Sequence, residues 1–354
     1  MEHVLIDQPA RPAGRSDAPV LEVDDLHVEF RTASGLVRAV NGVSYAVHER
    51  ETLAILGESG SGKSVSAQAI MGILDSPPGF ITHGAIRFRG EDMLTMTPDA
   101  RRRIRGEDIA IIFQDALSSL NPVFTVGFQI GEMFRAHRGA SRKEAKAAAV
   151  ELMERVRIPA ARERVNDFPH QFSGGMRQRV MIAMALALDP VVLIADEPTT
   201  ALDVTVQAQI MTLLKDLQVE TGMGLILITH DLGVVNEVAD RVGVMYAGKF
   251  VETGVIDDVF TRPAHPYTEG LMASIPQVEG KRGRLNPIRG VPPNLAAIPP
   301  GCSFHPRCPR ARTGAAAAPG RDCAVDVPPL RTVAPGRASA CHYSEELLDE
   351  QPDR

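Results

Sequence analysis

Eight residues of this chain, Gly57-Glu58-Ser59-Gly60-Ser61-Gly62-Lys63-Ser64, have the types and spacing to hold the phosphates of a nucleotide. They fit G-x-x-x-x-G-K-[ST] completely. Glycines let the backbone turn tightly enough for successive N–H groups to face phosphate oxygens. The helix that follows adds the positive end of its dipole. In such a loop Lys63 reaches the β- and γ-phosphates and Ser64 holds Mg²⁺. A chance glycine-rich turn is the competing reading. It is disfavoured because the loop sits between an apolar strand-like run and a helix-like one.

A second run, Val191-Val192-Leu193-Ile194-Ala195-Asp196-Glu197, supplies the complementary acids. An apolar strand delivers Asp196 to the Mg²⁺ side of a phosphate loop. Glu197, one residue on, is placed to polarise an attacking water. Two acids before Pro198 could equally form a solvated turn; beside a phosphate loop the catalytic reading is the stronger. These two motifs together imply nucleoside triphosphate chemistry and no more, since kinases, helicases and G proteins use them too.

A third group of reactive side chains lies far from both. Cys302, Cys308, Cys323 and Cys341 fall in the last 53 residues, and the preceding 301 hold no cysteine. The gaps are five, fourteen and seventeen residues, so no C-x₂-C pair of a zinc ribbon or ferredoxin run is present. Four thiolates suffice for one [4Fe–4S] cluster or one Zn²⁺, and plain reduced thiols remain open.

Positioning these groups requires strands and helices in alternation. Leu21, Val23, Leu26, Val28 and Phe30, a turn at Ser34-Gly35, then Val37, Val40, Val43, Tyr45 and Val47 read as paired strands. Thr52–Leu56, Val191–Ala195 and Leu225–Thr229 are wholly apolar, as buried parallel strands are. Helical spacing covers Ser64–Leu74, and a helix from Ser173 to about Leu188 is expected. Residues 141–157 give the clearest helix, with Ser141 and Glu144 as a capping box and Ala145, Ala148, Leu152 and Val156 on one face. The pattern predicts a parallel α/β sheet.

The whole chain has 354 residues, 44% of them hydrophobic, and a net charge of −6. That size allows about two domains, and the mild acidity gives no global reason to coat nucleic acid. The longest apolar stretch, Val180–Ala195, is broken by Asp189-Pro190 and falls short of the roughly 20 residues of a membrane span. Met1–Ala18 contains Glu2, Asp7 and Asp17 and no apolar core, so no secretory signal is read there and a cytoplasmic location is expected. Residues 281–354 carry 12 of the 26 prolines and 11 basic against 7 acidic residues. Such a segment is expected to lack a large regular core and to need staples.

Phe172-Ser173-Gly174-Gly175-Met176-Arg177-Gln178-Arg179 resembles the signature motif of ABC-type ATPases, with Phe172 and Met176 in place of the usual Leu and Gln. The other motifs of that family follow in order. Gln114 matches the Q-loop glutamine, Ala201-Leu202-Asp203 the D-loop, and His230, 33 residues after Glu197, the switch histidine. Phe30 aligns with the aromatic that stacks on adenine, although a core-facing strand Phe reads almost as well. The resemblance implies a P-loop NTPase fold with an N-terminal antiparallel β subdomain and a helical subdomain at about 115–180. It implies ATP between the phosphate loop of one cassette (Phe30, Gly57, Ser59, Gly60, Ser61, Gly62, Lys63, Ser64) and the signature of another (Ser173, Gly174, Gly175), with Asp203 crossing the interface. Ser64, Gln114 and Asp196 are the implied Mg²⁺ residues, and Glu197, Gln114 and His230 the catalytic ones.

Ser118-Ser119-Leu120-Asn121-Pro122 and His265-Pro266-Tyr267-Thr268 are similar to segments of oligopeptide and dipeptide importer ATPases, as is the cysteine-bearing tail. Three parts are expected: a flexible tail over 1–19, an ABC ATPase domain over 20–262, and a C-terminal extension over 263–354. Relatives with this extension imply a [4Fe–4S] cluster on the four cysteines, with Zn²⁺ the alternative. The stretch between Cys308 and Cys323 is longer than theirs by a segment that includes Gly314–Gly320. The implied partners are two transmembrane permease subunits, a second and paralogous ATPase chain, and an extracytoplasmic solute-binding protein. The implied location is the cytoplasmic face of the membrane. A soluble ABC ATPase acting on DNA or ribosomes, and a regulatory domain that binds ATP without hydrolysing it, are the competing functions.

Overall fold

The structure is a computed structural model that describes residues 18–33, 35–115, 119–200, 202–274 and 288–351. The expected tail over 1–19 lies outside these residues up to residue 17, as do Ser34, Ser118 and Ala201 of the expected turn and motifs. In chain order the strands are β1 (Leu21–Thr32), β2 (Gly35–Val47), β3 (Thr52–Leu56), β4 (Gly79–Phe88), β5 (Glu91–Asp92) and β6 (Ile109–Ile112). They continue with β7 (Val192–Asp196), β8 (Gly224–Thr229), β9 (Arg241–Tyr246), β10 (Lys249–Val255), β11 (Arg331–Ala334) and β12 (Arg337–Ser339). The chain divides into two compact units, one of Met1–Ala46, Thr52–Asp92 and Thr229–Arg354, the other of Val47–Glu51 and Met93–Ile228.

In the first unit β2, β1, β4 and β5 are neighbours in that order, with β1 antiparallel to β4. Leu21, Val23, Leu26 and Val28 are buried. The alternation slips by one between Val23 and Leu26 because β1 carries a register shift between Asp24 and His27, with Asp25 at φ 44°. An extra residue in one strand flips the faces that follow. The same unit pairs β3 in parallel with β9 and runs on through β10 and β12 to β11 by antiparallel pairing. All five residues of β3 are buried, as its unbroken apolar sequence requires.

The helix after the phosphate loop is Lys63–Met71 and ends three residues before the expected Leu74. Gly72, at φ 55°, stops it: its N–H bonds Ala69 O and the Ile73 N–H bonds Gln68 O. That is a left-handed glycine cap closing the last turn. The proline-rich tail differs more from expectation. Its hairpin β11–β12 joins β10 edge to edge, and Phe304, Tyr343 and Leu347 are buried. Prolines are confined to its turns and flanks, so the two short strands escape the backbone donor loss that proline imposes.

In the second unit β6, β7 and β8 are parallel neighbours, with β7 between. The helix Arg142–Arg155 has the expected capping box. Ser141 Oγ accepts the Glu144 N–H, and the Glu144 carboxylate accepts the Ser141 N–H at 2.8 Å. These bonds hold the Glu144 carboxyl below its usual range. That helix and Val126–Arg138 pack against Gly174–Leu186, the helix expected to start at Ser173.

Candidate ATP site and four-cysteine centre

The phosphate loop leaves the end of β3 and closes on the first turn of the Lys63–Met71 helix. Two of its glycines are dictated by space. A Cβ on Gly57 would lie 2.2 Å from Met245 O, and one on Gly62 would lie 2.2 Å from Ala39 O. Both also have positive φ, 154° and 106°, so any other residue would be strained as well as crowded. Gly60 at φ 78° faces open space. No side chain caps the helix start at Gly62, and the positive end of the helix dipole faces the loop. Lys63 is buried and folds back over the loop, with Nζ donating to Gly57 O at 2.8 Å and Glu58 O at 3.0 Å. Ser61 is buried, and Ser59 and Gly60 border the exposed side of the loop. Ser64 is half-buried in the first turn.

His230 follows β8 and is exposed. It lines a cavity of about 300 Å³ with Gly57, Glu58, Leu232 and Leu271, so the first unit brings the histidine beside the first residues of the loop. Phe30 is half-buried, whereas Val28 two residues earlier is fully buried. Gly79 faces Phe30 in the β1–β4 register and leaves room for its ring.

In the second unit, Asp196 ends β7 and is almost fully buried. Glu197 has left-handed backbone, φ 47°, which an ordinary residue holds only where its surroundings fix it. Its N–H donates to Ile228 O at 2.8 Å. Its Oε2 accepts the Gln114 amide at 2.8 Å and the Thr200 hydroxyl at 3.0 Å. The structure therefore joins Gln114 and Glu197, 83 residues apart in sequence. Thr200 was not identified from the sequence; a hydroxyl three residues after an acid is its only local signal.

The signature segment is also built as its spacing suggests. Ser173 caps the helix Gly174–Leu186, its hydroxyl accepting the Met176 N–H at 3.4 Å, and Ser173 and Gly174 are exposed. A Cβ on Gly175 would lie 2.5 Å from Val206, whereas one on Gly174 would meet Leu202 at an ordinary 3.4 Å. The unusual Phe172 is buried under the Arg164 guanidinium, 4.2 Å from its ring centre, and Met176 Sδ accepts from the same arginine. Both departures from the usual motif thus serve local packing and leave Ser173, Gly174 and Gly175 in place. Asp203 caps the helix Val204–Thr221 by accepting the Val206 N–H at 3.0 Å.

Cys302, Cys308, Cys323 and Cys341 are free thiols that line one cavity of about 200 Å³, with His305 and His342 at its wall. Burial pushes the Cys308 thiol up to about 12 and Cys341 up to about 11, and raises Cys302; the neighbouring sulfurs add to each shift. Among the described residues no three His, Cys, Asp or Glu side chains converge closely enough to hold a metal ion. The described geometry therefore gives no support to either the [4Fe–4S] cluster or the Zn²⁺ alternative.

His265 explains the start of the extension. It is buried and accepts the Tyr267 N–H on Nδ1 at 3.0 Å, capping the helix Pro266–Ala273. Burial pushes it down to about 3, so it stays neutral and able to accept. Tyr267 then reaches the phosphate loop, its hydroxyl accepting the Glu58 N–H at 2.9 Å.

The ABC transporter family matches residues 40–200, and the C-terminal region of oligopeptide/dipeptide transporters matches residues 251–314. A putative peptide import ATP-binding protein of Brucella abortus (strain 2308) is 50% identical over 343 residues, 94% of this chain and 99% of its own. The dipeptide transport ATP-binding protein DppD of Bacillus subtilis (strain 168) is 52% identical over 290 residues, 82% of this chain and 87% of its own. Among solved structures, the cassette MJ0796 as a dimer and in a post-hydrolysis state with ADP and Pi aligns at 30% identity and TM-score 0.59, over 67% of this chain and 98% of its own. CbiO1 of Clostridium perfringens aligns at 29% and 0.59, over 69% and 91%. The chain belongs to the ABC transporter ATP-binding proteins with an oligopeptide/dipeptide transporter C-terminal region, and is an ABC-type ATPase of the mixed α/β P-loop fold.

Proposed function

We propose that this ATPase powers the import of peptides, or of a related small solute, through two transmembrane permease subunits. The observation that carries the coupling is the 2.8 Å hydrogen bond from Gln114 to Glu197. It ties the carboxylate assigned to the attacking water to a segment that displays apolar side chains: Phe113 beside Gln114, then Val123, Phe124 and Phe128, all exposed. Phe124 and Phe128 stack at 4.7 Å. Such a patch on an ATPase suits a permease loop, and movement there would reach Glu197 through Gln114.

Within the site, Gly57–Ser64 cradle the phosphates, Lys63 leaves its loop carbonyls for the β- and γ-phosphates, and Phe30 stacks on adenine. Ser64, Gln114 and Asp196 would hold Mg²⁺, which supplies charge neutralisation of the phosphates. Glu197 orients water as general base and His230 contacts the γ-phosphate. Exposed Ser173 and Gly174 at a helix start suit the phosphates of a nucleotide bound by a second, paralogous cassette, with Asp203 at the interface. The dimeric MJ0796 structure supports that sandwich. No helix among the described residues is long and apolar enough to cross a membrane. In this reading the chain works at the cytoplasmic face through its permeases, fed by an extracytoplasmic solute-binding protein. The peptide-import relatives give no support to action on DNA or ribosomes. Phe124→Asp is expected to abolish co-purification with proteins bearing several apolar spans of about 20 residues, while ATP binding persists. Retention of those spans by the variant would refute the docking role.

We further propose a [4Fe–4S] cluster on Cys302, Cys308, Cys323 and Cys341; what supports it is that all four are free and line one cavity. Bound there, a cluster would supply a cross-link between the loops that carry these cysteines. Anaerobically purified protein is expected to show broad absorbance near about 400 nm and about four irons per chain. A folded, colourless and iron-free preparation would remove the cluster.

A further inference from the structure

Glu58 is an acid inside a loop that must receive a polyanion. Left unpaired it would repel the incoming phosphates, since two like charges a few ångströms apart oppose each other by several kcal/mol unless water screens them. The structure shows what offsets it. Arg307 grips the Glu58 carboxylate with both terminal nitrogens, Nη1 to Oε2 at 2.6 Å and Nη2 to Oε1 at 3.0 Å. This is the two-point geometry that makes arginine–carboxylate pairs strong. The Arg307 side chain is only 6% exposed, so solvent screens the pair weakly.

Arg307 is itself fixed. Its Nε donates to Arg289 O at 2.9 Å, and Nη1 also lies 3.4 Å from the Tyr246 hydroxyl. Its guanidinium lies over Tyr246 and Phe304, 5.8 and 6.0 Å from their ring centres. Tyr246, Tyr267 and Phe304 form one aromatic cluster with centres 4.6 to 5.3 Å apart. Tyr267 holds the Glu58 N–H at the same time. Glu58 is thus held by side chain and backbone from the C-terminal extension.

The chain position of Arg307 adds the regulatory content. It lies between Cys302 and Cys308, in a run of turns where the His305 N–H bonds Cys302 O, the Arg307 N–H bonds Phe304 O, and the Cys302 N–H bonds Cys323 O. The folding of the cysteine loops therefore decides where the guanidinium sits. We propose that Arg307 is a positioning residue of the ATP site: its ion pair with Glu58 neutralises an acid built into the phosphate loop, so that the four-cysteine segment sets the affinity for ATP. The proposal rests on the assignment of Gly57–Ser64 as the ATP-binding loop and on no particular occupant of the cysteine site.

The test is a double-mutant cycle on the full chain, read as the equilibrium affinity for MgATP by titration with a fluorescent ATP analogue. Arg307→Gln is expected to weaken binding about tenfold. In a Glu58→Gln background the same substitution is expected to change affinity by less than about twofold. The tenfold loss should shrink as salt is raised, because a repulsion from unpaired Glu58 is screened and a packing defect is not. Arg307→Lys, which keeps the charge without the fork, is expected to lose about threefold, again only when Glu58 is present. This variant carries the test if Arg307→Gln does not fold. Equal affinities of wild type and the Arg307 variants, or the same loss with and without Glu58, would overturn the proposal. Failure of the wild type itself to bind MgATP would instead overturn the assignment of the loop.

Discussion

Replacing Glu197 with Gln is expected to lower ATP hydrolysis by at least about 100-fold, the range in which a positioned general base contributes. The substitution keeps the shape and hydrogen-bonding reach of the side chain, so the contacts with Gln114 at 2.8 Å and Thr200 at 3.0 Å can persist in altered form. What is lost is the basic oxygen. Binding of ATP does not need it, so two cassettes closed on ATP should accumulate instead of turning over. Size-exclusion chromatography of the chain mixed with its paralogous cassette and MgATP should show a dimer with the variant that the wild type forms only transiently. Hydrolysis at the wild-type rate would mean that Glu197 does not polarise the water, and that its strained backbone at φ 47° serves another purpose.

The second large effect is expected far from the reacting atoms, at Glu252 in β10. This carboxylate is fully buried. It accepts the Ala264 N–H at 2.7 Å, the His265 N–H at 3.0 Å, and two donors of the buried Arg337 at 2.6 and 3.2 Å. Burial pushes the Glu252 carboxyl up, and Arg337 with the backbone donors pulls it back. Arg337 sits in β12 and also donates to Arg262 O. One ion pair therefore fastens the tail hairpin, β10 and the entry to the Pro266–Ala273 helix. Glu252→Ala leaves Arg337 buried without its carboxylate, and loss of about 3–5 kcal/mol is expected. Chemical denaturation measures it directly. Glu252→Leu/Arg337→Leu is expected to recover only part of that stability: it removes the stranded charge, but leaves the Ala264 and His265 N–H groups without their acceptor. A single variant within about 1 kcal/mol of wild type would show that the pair contributes little.

Most of the proposed nucleotide machinery is legible because its motifs are local. Gly57–Ser64, Asp196-Glu197 and Ser173–Gly175 each announce themselves within eight residues. Their strands were legible too, since β3 and β7 are unbroken apolar runs and buried parallel strands have no polar face. What escaped the sequence is what bridges distance. Arg307 and Glu58 are 249 residues apart, and neither periodicity nor composition links them. The β10–β12 pairing was hidden by prolines that flank the tail strands without entering them. The helix end at Gly72 was missed because apolar spacing continued past a glycine whose left-handed backbone decides the stop. In the cysteine segment, sequence gave four ligand candidates, and geometry added that they surround a cavity.

The central claim, that this chain spends ATP to bring peptides or a related small solute into the cell, is tested most directly by uptake. Cells carrying the wild-type or the Glu197→Gln chain are given a mixture of isotope-labelled short peptides, and accumulation is followed by mass spectrometry. Accumulation of at least one peptide class is expected to stop in the variant cells and to return when the wild-type chain is restored. Unchanged uptake of every peptide in the Glu197→Gln cells would contradict the account.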